Sequence, residues 1–194
     1  MLGFNGGLLG KERTPLSVSG SVAGTWTANE HSVAVRAGKW PLKVVPIASI
    51  SYSQSSVYGS TDAASNGPMT DGLQTGTQAA TGASGLGVPQ WIQIDLSAFC
   101  LVNRVVIGNS TASVPPGGFG PSYTNNLDLQ YSSDNFTWTT ILNTGDRSGN
   151  SFLYTLTFDT VTARYIRLLA PAGGGLYIGL TEFYALSPGQ TYTP

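Results

Sequence analysis

Short segments in which apolar and polar residues alternate recur along most of the chain. They occupy residues 91–96, 102–109, 127–132, 136–142, 152–158, 163–169 and 176–186, with clusters of Gly, Pro, Asn and Asp between them. Alternation with a period of two places every second side chain on one face of a β-strand, so each segment predicts a strand. Many short strands without a long helical pattern predict an all-β sandwich or barrel.

The first 45 residues follow a different pattern. Residues 1–10 (MLGFNGGLLG) are apolar and Gly-rich without periodicity, and such a segment cannot build a core of its own. Thr27 and Glu30 form a capping-box pattern, which predicts a short helix at about 28–37. The large apolar side chains of this part predict an anchoring arm that docks on another subunit; they are Leu2, Phe4, Leu8, Leu9, Trp26 and Trp40.

The composition of the chain argues against several classes of protein. Charged residues make up 10% of the chain and the formal net charge is −1, with no run of Lys or Arg that would indicate nucleic-acid binding. No segment approaches the roughly 20 apolar residues of a membrane-spanning helix, and the N-terminus does not fit a signal peptide. The single cysteine, Cys100, excludes an internal disulfide, and we predict a buried thiol.

Two long segments, 73–89 and 110–125, lack a regular pattern. Loops of this length in a compact domain usually carry function or are disordered. Because a sandwich presents its loops at its ends, we expect these segments to take part in recognition.

The order of the β segments resembles the discoidin domain, also called the coagulation-factor C-type domain. The resemblance covers about residues 46–187. It rests on ASISYS at 48–53, MTDG at 69–72, QWIQIDL at 90–96, VNRVVIGN at 102–109, LDLQYSSDNFTWTTI at 127–141, TARYIRLLAP at 162–171 and GLTEFYAL at 179–186. The tail at 188–194 is expected to be exposed. The lack of a second cysteine departs from the disulfide of the extracellular animal members and is similar to microbial and viral members.

This resemblance implies an eight-stranded jelly-roll β-sandwich whose ligands bind to loops at one end. Members of the family bind galactose-type sugars, other glycans, lipid head groups or proteins, so the fold does not determine the ligand.

A sugar site needs an aromatic face and a few polar groups for the hydroxyls. The candidates in the loops are Tyr58, Asp62, Asn66, Phe119, Tyr123, Arg147 and Asn150. The alternative for Arg147 is a solvated charge on a hairpin. The alternative for Phe119 and Tyr123 is packing of their loop against the sandwich.

In sugar-binding relatives a structural Ca²⁺ lies near the Asp-Gly turn, and the matching positions here are Asp71 and Glu182. Hard oxygen ligands suit Ca²⁺. The alternative is that Asp71 caps its own turn and that Glu182 is exposed. The turn continues with LQTGT, whereas many relatives continue with a Thr and a Trp, so its local structure is expected to differ.

Strand aromatics and strand arginines are expected to serve the fold. We predict that Trp91, Trp138, Tyr131, Tyr154 and Tyr165 pack in or on the sandwich. Arg164 and Arg167 are predicted to cover the outer sheet or to pair with carboxylates, an interaction that adds little stability at a surface.

The leader, GFNGGLLG followed by WTANE and AGKWP, resembles that of structural proteins in tailed bacteriophage particles. This implies an arm that anchors the chain in a virion, with the sandwich facing outward and release from the cell by lysis. The implied partners are other capsid or tail subunits and a host-surface glycan. A virion role also implies that this chain forms a homo-oligomer within the assembly.

No catalytic motif is recognisable in the chain. The only histidine, His31, lies in the predicted helix, and the few acidic residues show no pairing that sequence can reveal. We therefore predict a non-enzymatic structural or binding protein of a phage particle. The alternatives are a free-standing carbohydrate-binding module and, third, a glycan hydrolase with an unrecognised site.

Overall fold

The computed structural model describes residues 43–59, 62–64, 69–70, 79–81, 88–109, 121–147, 153–172 and 178–191. These residues contain eight β-strands: β1 Ser51–Gln54, β2 Ala79–Ala80, β3 Gln90–Gly108, β4 Asp128–Ser132, β5 Thr139–Asn143, β6 Leu153–Ala170, β7 Gly179–Leu180 and β8 Glu182–Leu186. Two short 3₁₀-helices, Ile47–Ser49 and Pro121–Thr124, accompany them. In the described ranges no helix has the length and apolar character needed to cross a bilayer.

The long strands β3 and β6 run through both layers of the molecule. The first part of β3, Gln90–Asp95, pairs with β1 and the end of β6. Its last part, Arg104–Gly108, pairs with β8 and the beginning of β6. Register shifts separate the two parts, and Ser97 takes a positive φ of 62° there. The antiparallel sheet, ordered β1-β3-β6-β4-β5 with β8 beside β3, therefore folds over on itself.

One core lies between the two layers. The Tyr52 hydroxyl on β1 donates a hydrogen bond of 2.9 Å to the carbonyl of Phe183 on β8, which joins the layers through the core. The alternating apolar residues predicted from the sequence are fully buried, among them Ile92, Ile94, Leu96, Ile107, Leu127, Leu129, Ile166 and Leu168. The predicted jelly-roll β-sandwich is confirmed.

The strand registers define two poles. At the loop pole lie the strand ends Gln54, Gln90, Gly108, Asp128, Asn143, Leu153, Ala170 and Gly179. At the opposite end, the terminal pole, the Lys43 N–H donates to the Phe99 carbonyl at 2.9 Å. There the Val45 N–H also donates to Ser187 Oγ at 3.0 Å, and the Gln190 amide donates to the Val45 carbonyl. The first and last described segments are thus bound together opposite the loops.

Several strand boundaries differ from the prediction. The segments 91–96 and 102–109 form one bent strand, as do the two segments within β6, because the backbone hydrogen bonding continues around the bend. In the segment 136–142 the first three residues belong to a turn instead of a strand. The Asp134 carboxylate accepts the N–H groups of Phe136 and Thr137, which removes these donors from a strand ladder.

The long segments 73–89 and 110–125 are not wholly irregular. The first contains β2, which pairs with β7, and the second contains the 3₁₀-helix Pro121–Thr124. Two-residue pairing and a single helical turn are too short to leave a periodic signal in the sequence.

Cys100 is fully buried, as predicted, and burial raises the pKa of its thiol to about 11. Tyr131 and Tyr154 pack against the core.

The arginines of β6 cover the outer sheet, as predicted. Arg164 forms a two-pronged ion pair with Asp95, at 3.0 and 3.1 Å. Arg167 packs its guanidinium 3.9 Å from the centre of a Trp138 ring. The Asp95 partnership raises the pKa of Arg164, whereas burial lowers the pKa of Arg167.

The predicted arm lies outside the described residues. This concerns the helix at 28–37 and the anchoring residues Leu2, Phe4, Leu8, Leu9, Trp26 and Trp40. Their roles stay predictions.

Candidate functional site

Buried polar side chains tie together the segments that meet at the loop pole. Asn109, which follows β3, is fully buried; its amide N–H donates to the Gly179 carbonyl at 2.8 Å, and its oxygen accepts from Thr124 Oγ1 at 3.3 Å. The Thr144 hydroxyl donates to the Thr124 carbonyl at 2.7 Å and accepts the Leu127 N–H at 2.9 Å. We call this set, Asn109, Thr124, Leu127, Thr144 and Gly179, the polar frame. It holds three loop segments in one arrangement before any ligand is bound.

Arg147 is packed against this frame. Its guanidinium lies 4.7 Å from the centre of the Tyr154 ring, and its backbone N–H donates to the Asn125 side chain. Its Nε–H is buried and donates to no described residue. Burial raises the pKa of the Tyr154 phenol, against opposing effects of the Thr124 side chain and the Arg147 charge. Arg147 is therefore not a freely solvated hairpin charge.

The structure brings Tyr123 to the same place. Tyr123 is partly buried in the 3₁₀-helix directly before Thr124 of the polar frame. Because Thr124 and Thr144 are hydrogen-bonded and Arg147 lies three residues after Thr144, the ring and the cation belong to neighbouring segments.

Tyr58 and Asp62 belong to the segment after β1, which contacts the loop pole through β2. The Tyr58 N–H donates to the Ala80 carbonyl at 3.0 Å, and Ala80 pairs with Gly179 of the polar frame. The Asp62 carboxylate accepts the Ala64 N–H at 3.0 Å, so it also shapes its own turn. The other predicted sugar ligands, Asn66, Phe119 and Asn150, lie outside the described residues.

Sequence reasoning missed the polar members of the site. Asn109, Asn125 and Thr144 were not predicted, and Tyr154 was assigned to packing alone. A signal was available for Asn109, because a polar residue directly after the apolar run VVIG marks the point where a buried strand meets a loop. No comparable signal marks Thr144.

Glu182 is buried, which overturns the alternative that it is exposed. It is 1% exposed at the start of β8, opposite Gly108 of β3. A Cβ at Gly108 would lie 2.7 Å from the Glu182 Cβ, so only glycine leaves room for this carboxylate. Burial of a carboxylate is unfavourable unless a partner compensates its charge.

The donor chemistry around Glu182 fits Ca²⁺. The Phe183 N–H donates to the Met69 carbonyl at 3.0 Å, so the segment 69–70 lies directly beside Glu182. Asp71, the other predicted ligand, follows this segment and lies outside the described residues. The part of the chain that the structure describes holds no group of three or more acidic, His or Cys side chains arranged for a metal. Backbone carbonyls would have to complete a Ca²⁺ site here.

Solved structures of two sugar-binding modules share the fold of this chain. The family 32 CBM of Clostridium perfringens NanJ in complex with galactose is 21% identical, with a TM-score of 0.55 over 73% of this chain and 96% of that chain. CpGH89CBM32-5 from Clostridium perfringens, in complex with GalNAc-β-1,3-galactose, is 18% identical, with a TM-score of 0.57 over 75% of this chain and 100% of that chain. Both likenesses lie in the fold.

A chitosan-binding module is more similar in sequence. It is module 1 of a chitosanase/glucanase from Paenibacillus sp. IK-5, which is 26% identical, with a TM-score of 0.53 over 73% of this chain and 98% of that chain. No curated protein sequence matches the chain. The profile of the NedA-like, galactose-binding domain matches residues 68–168, slightly more than half of the 194 residues. The chain therefore belongs to the family of NedA-like, galactose-binding domains and carries a carbohydrate-binding-module-like β-sandwich.

Proposed function

We propose that the loop pole binds a galactose-type saccharide and that Arg147 is its main polar contact. The observation that carries this proposal is the packed Arg147, whose guanidinium stacks on Tyr154 beside the polar frame and whose Nε–H donates to no described residue. A guanidinium fixed in this way presents several donors in one plane, which suits neighbouring sugar hydroxyls. The family assignment supports a saccharide as the ligand.

Tyr123 supplies the apolar part of the proposed site. A pyranose has one face of C–H groups, and an aromatic ring of suitable orientation covers such a face with little loss of side-chain entropy. The polar frame fixes the neighbouring backbone in advance, which lowers the ordering cost of binding. Tyr58, Asp62, Asn66, Phe119 and Asn150 belong to segments that lead to this pole and are the further candidate contacts.

Binding, not catalysis, is the proposed activity of the loop pole. Glycoside hydrolysis needs two carboxyl groups on opposite sides of the scissile bond. The side chains of the polar frame itself are an amide and hydroxyls, with the guanidinium of Arg147 beside them, while Asp62 and Asp146 supply carboxylates in neighbouring segments. Amides, hydroxyls and a guanidinium recognise sugar hydroxyl groups.

We further propose that Asp71 and Glu182 hold a structural Ca²⁺ together with backbone carbonyls. A bound cation would add a favourable charge interaction with the buried Glu182 carboxylate. It would also fasten the segment after Met69 to β8, close to the end of β3 that begins the polar frame.

The proposed biological setting is a phage particle, in which residues 1–45 anchor the chain among capsid or tail subunits. Lys43 enters the sandwich at the terminal pole, where it is bound to Phe99. An anchor attached there would point the loop pole away from the particle, toward a host-surface glycan. A free-standing carbohydrate-binding module is the alternative, and it uses the same loop pole without the anchor.

Sugar binding tests the first proposal. We expect Arg147→Ala to weaken binding of galactose or a galactoside, measured by calorimetry, by about 10- to 100-fold, the usual effect of losing charge-assisted hydrogen bonds. Arg147→Lys should recover only part of the affinity, because the planar fork is lost. Arg164→Ala, on the outer sheet, is the matched control and should bind like the wild type. Equal affinity of Arg147→Ala and wild type would refute the assignment.

Particle incorporation tests the setting. We expect a chain without residues 1–42 to keep its sugar affinity and to fail to enter assembled particles, as followed by sedimentation and immunoblotting. Normal incorporation of the shortened chain would refute the anchoring role and favour the free-standing module.

A further inference from the structure

The outer face of the larger layer carries a row of polar side chains in strict register. Ser53 pairs with Gln93, Gln93 with Arg167, Arg167 with Gln130, and Gln130 with Thr140, so each of five strands contributes one residue. At the usual spacing of neighbouring strands the row spans about 19 Å. Residues before and after Gln93 in β3, such as Ile92 and Ile94, point into the core, which places the row on the opposite, outer side.

Arg167, at the middle of the row, is fixed in position but not saturated. The Trp138 ring covers it at 3.9 Å, and its Nε–H donates to the Gln130 side-chain oxygen at 2.8 Å. The Gln130 amide in turn donates to Thr140 Oγ1 at 3.0 Å. Within the described residues the terminal Nη groups of Arg167 make no hydrogen bond. A rigid fork of donors therefore remains available.

Gln93 lies on β3, the strand next to Arg167, and its side-chain amide is also available for hydrogen bonding. Its side chain is 5% exposed, and its amide makes no hydrogen bond to any described residue. The enclosed polar atoms without a partner in the described residues do not include those of Gln93, so its amide keeps some contact with solvent and can be reached by a ligand. Because Gln93 and Arg167 are directly opposite each other in the antiparallel pair, their side chains can reach one ligand group.

The charges of this face leave Arg167 without an anion. The neighbouring Arg164 is neutralised by Asp95, whereas no described carboxylate pairs with Arg167. Asp128, on the same face of β4, is engaged by the Asn143 amide. Burial lowers the pKa of Arg167, as expected for a partly buried cation that lacks a counter-charge. An anionic ligand would remove this imbalance.

We propose that this row is a second saccharide-binding surface, distinct from the loop pole, which takes a uronic-acid-bearing oligosaccharide. The carboxylate of one sugar would accept two hydrogen bonds from the Nη groups of Arg167 and a third from the Gln93 amide. Ser53 and Thr140, at the two ends of the row, would contact hydroxyls of neighbouring sugars. This surface does not depend on the proposed galactose site.

A saccharide fits the row better than an acidic peptide does. The row crosses the face of the sheet from the edge strand β1 to the edge strand β5, so a ligand that lies along it meets side-chain amides and hydroxyls instead of backbone groups of the sheet. A peptide would depend on such backbone groups for its main-chain hydrogen bonds. Trp91, partly exposed on the same face of β3, adds an apolar ring of the kind that sugars stack on.

The test compares oligogalacturonate with its methyl ester, which lacks the charge, by calorimetry on the full chain. We expect wild type to bind oligogalacturonate about 10- to 100-fold more tightly than the ester. Gln93→Glu should abolish this preference, because the new isosteric carboxylate lies opposite Arg167 and would itself accept the hydrogen bonds of the Arg167 Nη groups. Since the new ion pair joins two strands, the variant should be at least as thermostable as wild type. Arg167→Gln should lose the preference without supplying a carboxylate.

Two controls separate this surface from the loop pole. Arg147→Ala should lose galactose binding and keep oligogalacturonate binding. Gln93→Glu should keep galactose binding and lose oligogalacturonate binding. Loss of both ligands in Arg147→Ala would show a single site and overturn the proposal. The proposal would also be overturned if the wild-type chain bound oligogalacturonate no more tightly than its methyl ester, or if a folded Gln93→Glu variant still bound oligogalacturonate. Competition by poly-glutamate as strong as that by oligogalacturonate would overturn the saccharide assignment.

Discussion

Thr144→Val tests whether the polar frame holds the loop pole. Valine matches threonine in shape but removes the hydroxyl, which is 2% exposed and hydrogen-bonded to the Thr124 carbonyl and the Leu127 N–H. Each buried group left without a partner costs about 1–3 kcal/mol, so two such groups predict a loss of about 2–6 kcal/mol. For a chain of this size the melting temperature should fall by about 4–24 °C. Urea unfolding with an unchanged m-value would show that stability, and not compactness, has changed.

Thr139→Val on β5 is the matched control. Thr139 is exposed, so the same loss of a hydroxyl should change stability by no more than about 0.5 kcal/mol. Galactose affinity should also fall in Thr144→Val, because Arg147 follows the frame by three residues, and should be unchanged in Thr139→Val. A Thr144→Val protein as stable as the control would refute the interpretation of these hydrogen bonds as a rigid frame.

The other predictions concern the layers, the metal and acid stability. Tyr52→Phe removes the hydrogen bond to the Phe183 carbonyl that joins the layers. Urea unfolding should show that the free energy of unfolding falls by about 1–2 kcal/mol, whereas an unchanged value would mean that water replaces the hydroxyl. Wild type should melt at a lower temperature in EDTA than in Ca²⁺, while Glu182→Gln should melt alike in both; a wild type indifferent to Ca²⁺ would refute the metal site. Hydrogen bonds from the N–H groups of residues 137 and 136 and from the hydroxyl of residue 132 hold the pKa of Asp134 below its usual range. The carboxylate of Asp134 therefore contributes fully to stability above its unfolded-state pKa of about 3.9, and this contribution is lost as the pH falls toward the lower folded pKa. The melting temperature should therefore fall less steeply with decreasing pH in Asp134→Asn than in wild type.

The sequence predicted the fold because burial follows the alternating pattern. Ile92, Ile94 and Leu96 are all fully buried, as the period of two requires. The pattern did not predict that β3 continues around its bend, because alternation reports which face is buried and not which hydrogen bonds are made. The bend depends on Ser97 with its positive φ and on the Asp95 carboxylate, which accepts the Ser97 N–H at 2.8 Å. Neither residue type marks such a bend by itself.

Prediction of the site was less complete, and the reason is also physical. Arg147 and Tyr123 were predicted as candidates because cations and aromatic rings in loops are the residue types that a sugar site needs, and their role stays a prediction. The residues that position them are small and neutral, and Thr144 is indistinguishable in sequence from any of the chain's exposed threonines. Its role comes from a hydrogen bond to Thr124, 20 residues away, which only the fold creates. Similarly, Glu182 could be judged buried only after Gly108 was found opposite it.

Both poles of the sandwich depend on particular polar side chains. At the terminal pole the Ser187 hydroxyl and the Gln190 amide bind the backbone of Val45. At the loop pole the contacts depend on particular side chains, since replacing Asn109 or Thr144 leaves backbone groups unpaired. A change of sugar specificity should therefore arise from residues displayed on the polar frame, such as Tyr123 and Arg147, and leave the frame itself intact. The same sandwich can then present different ligand sites on one polar frame.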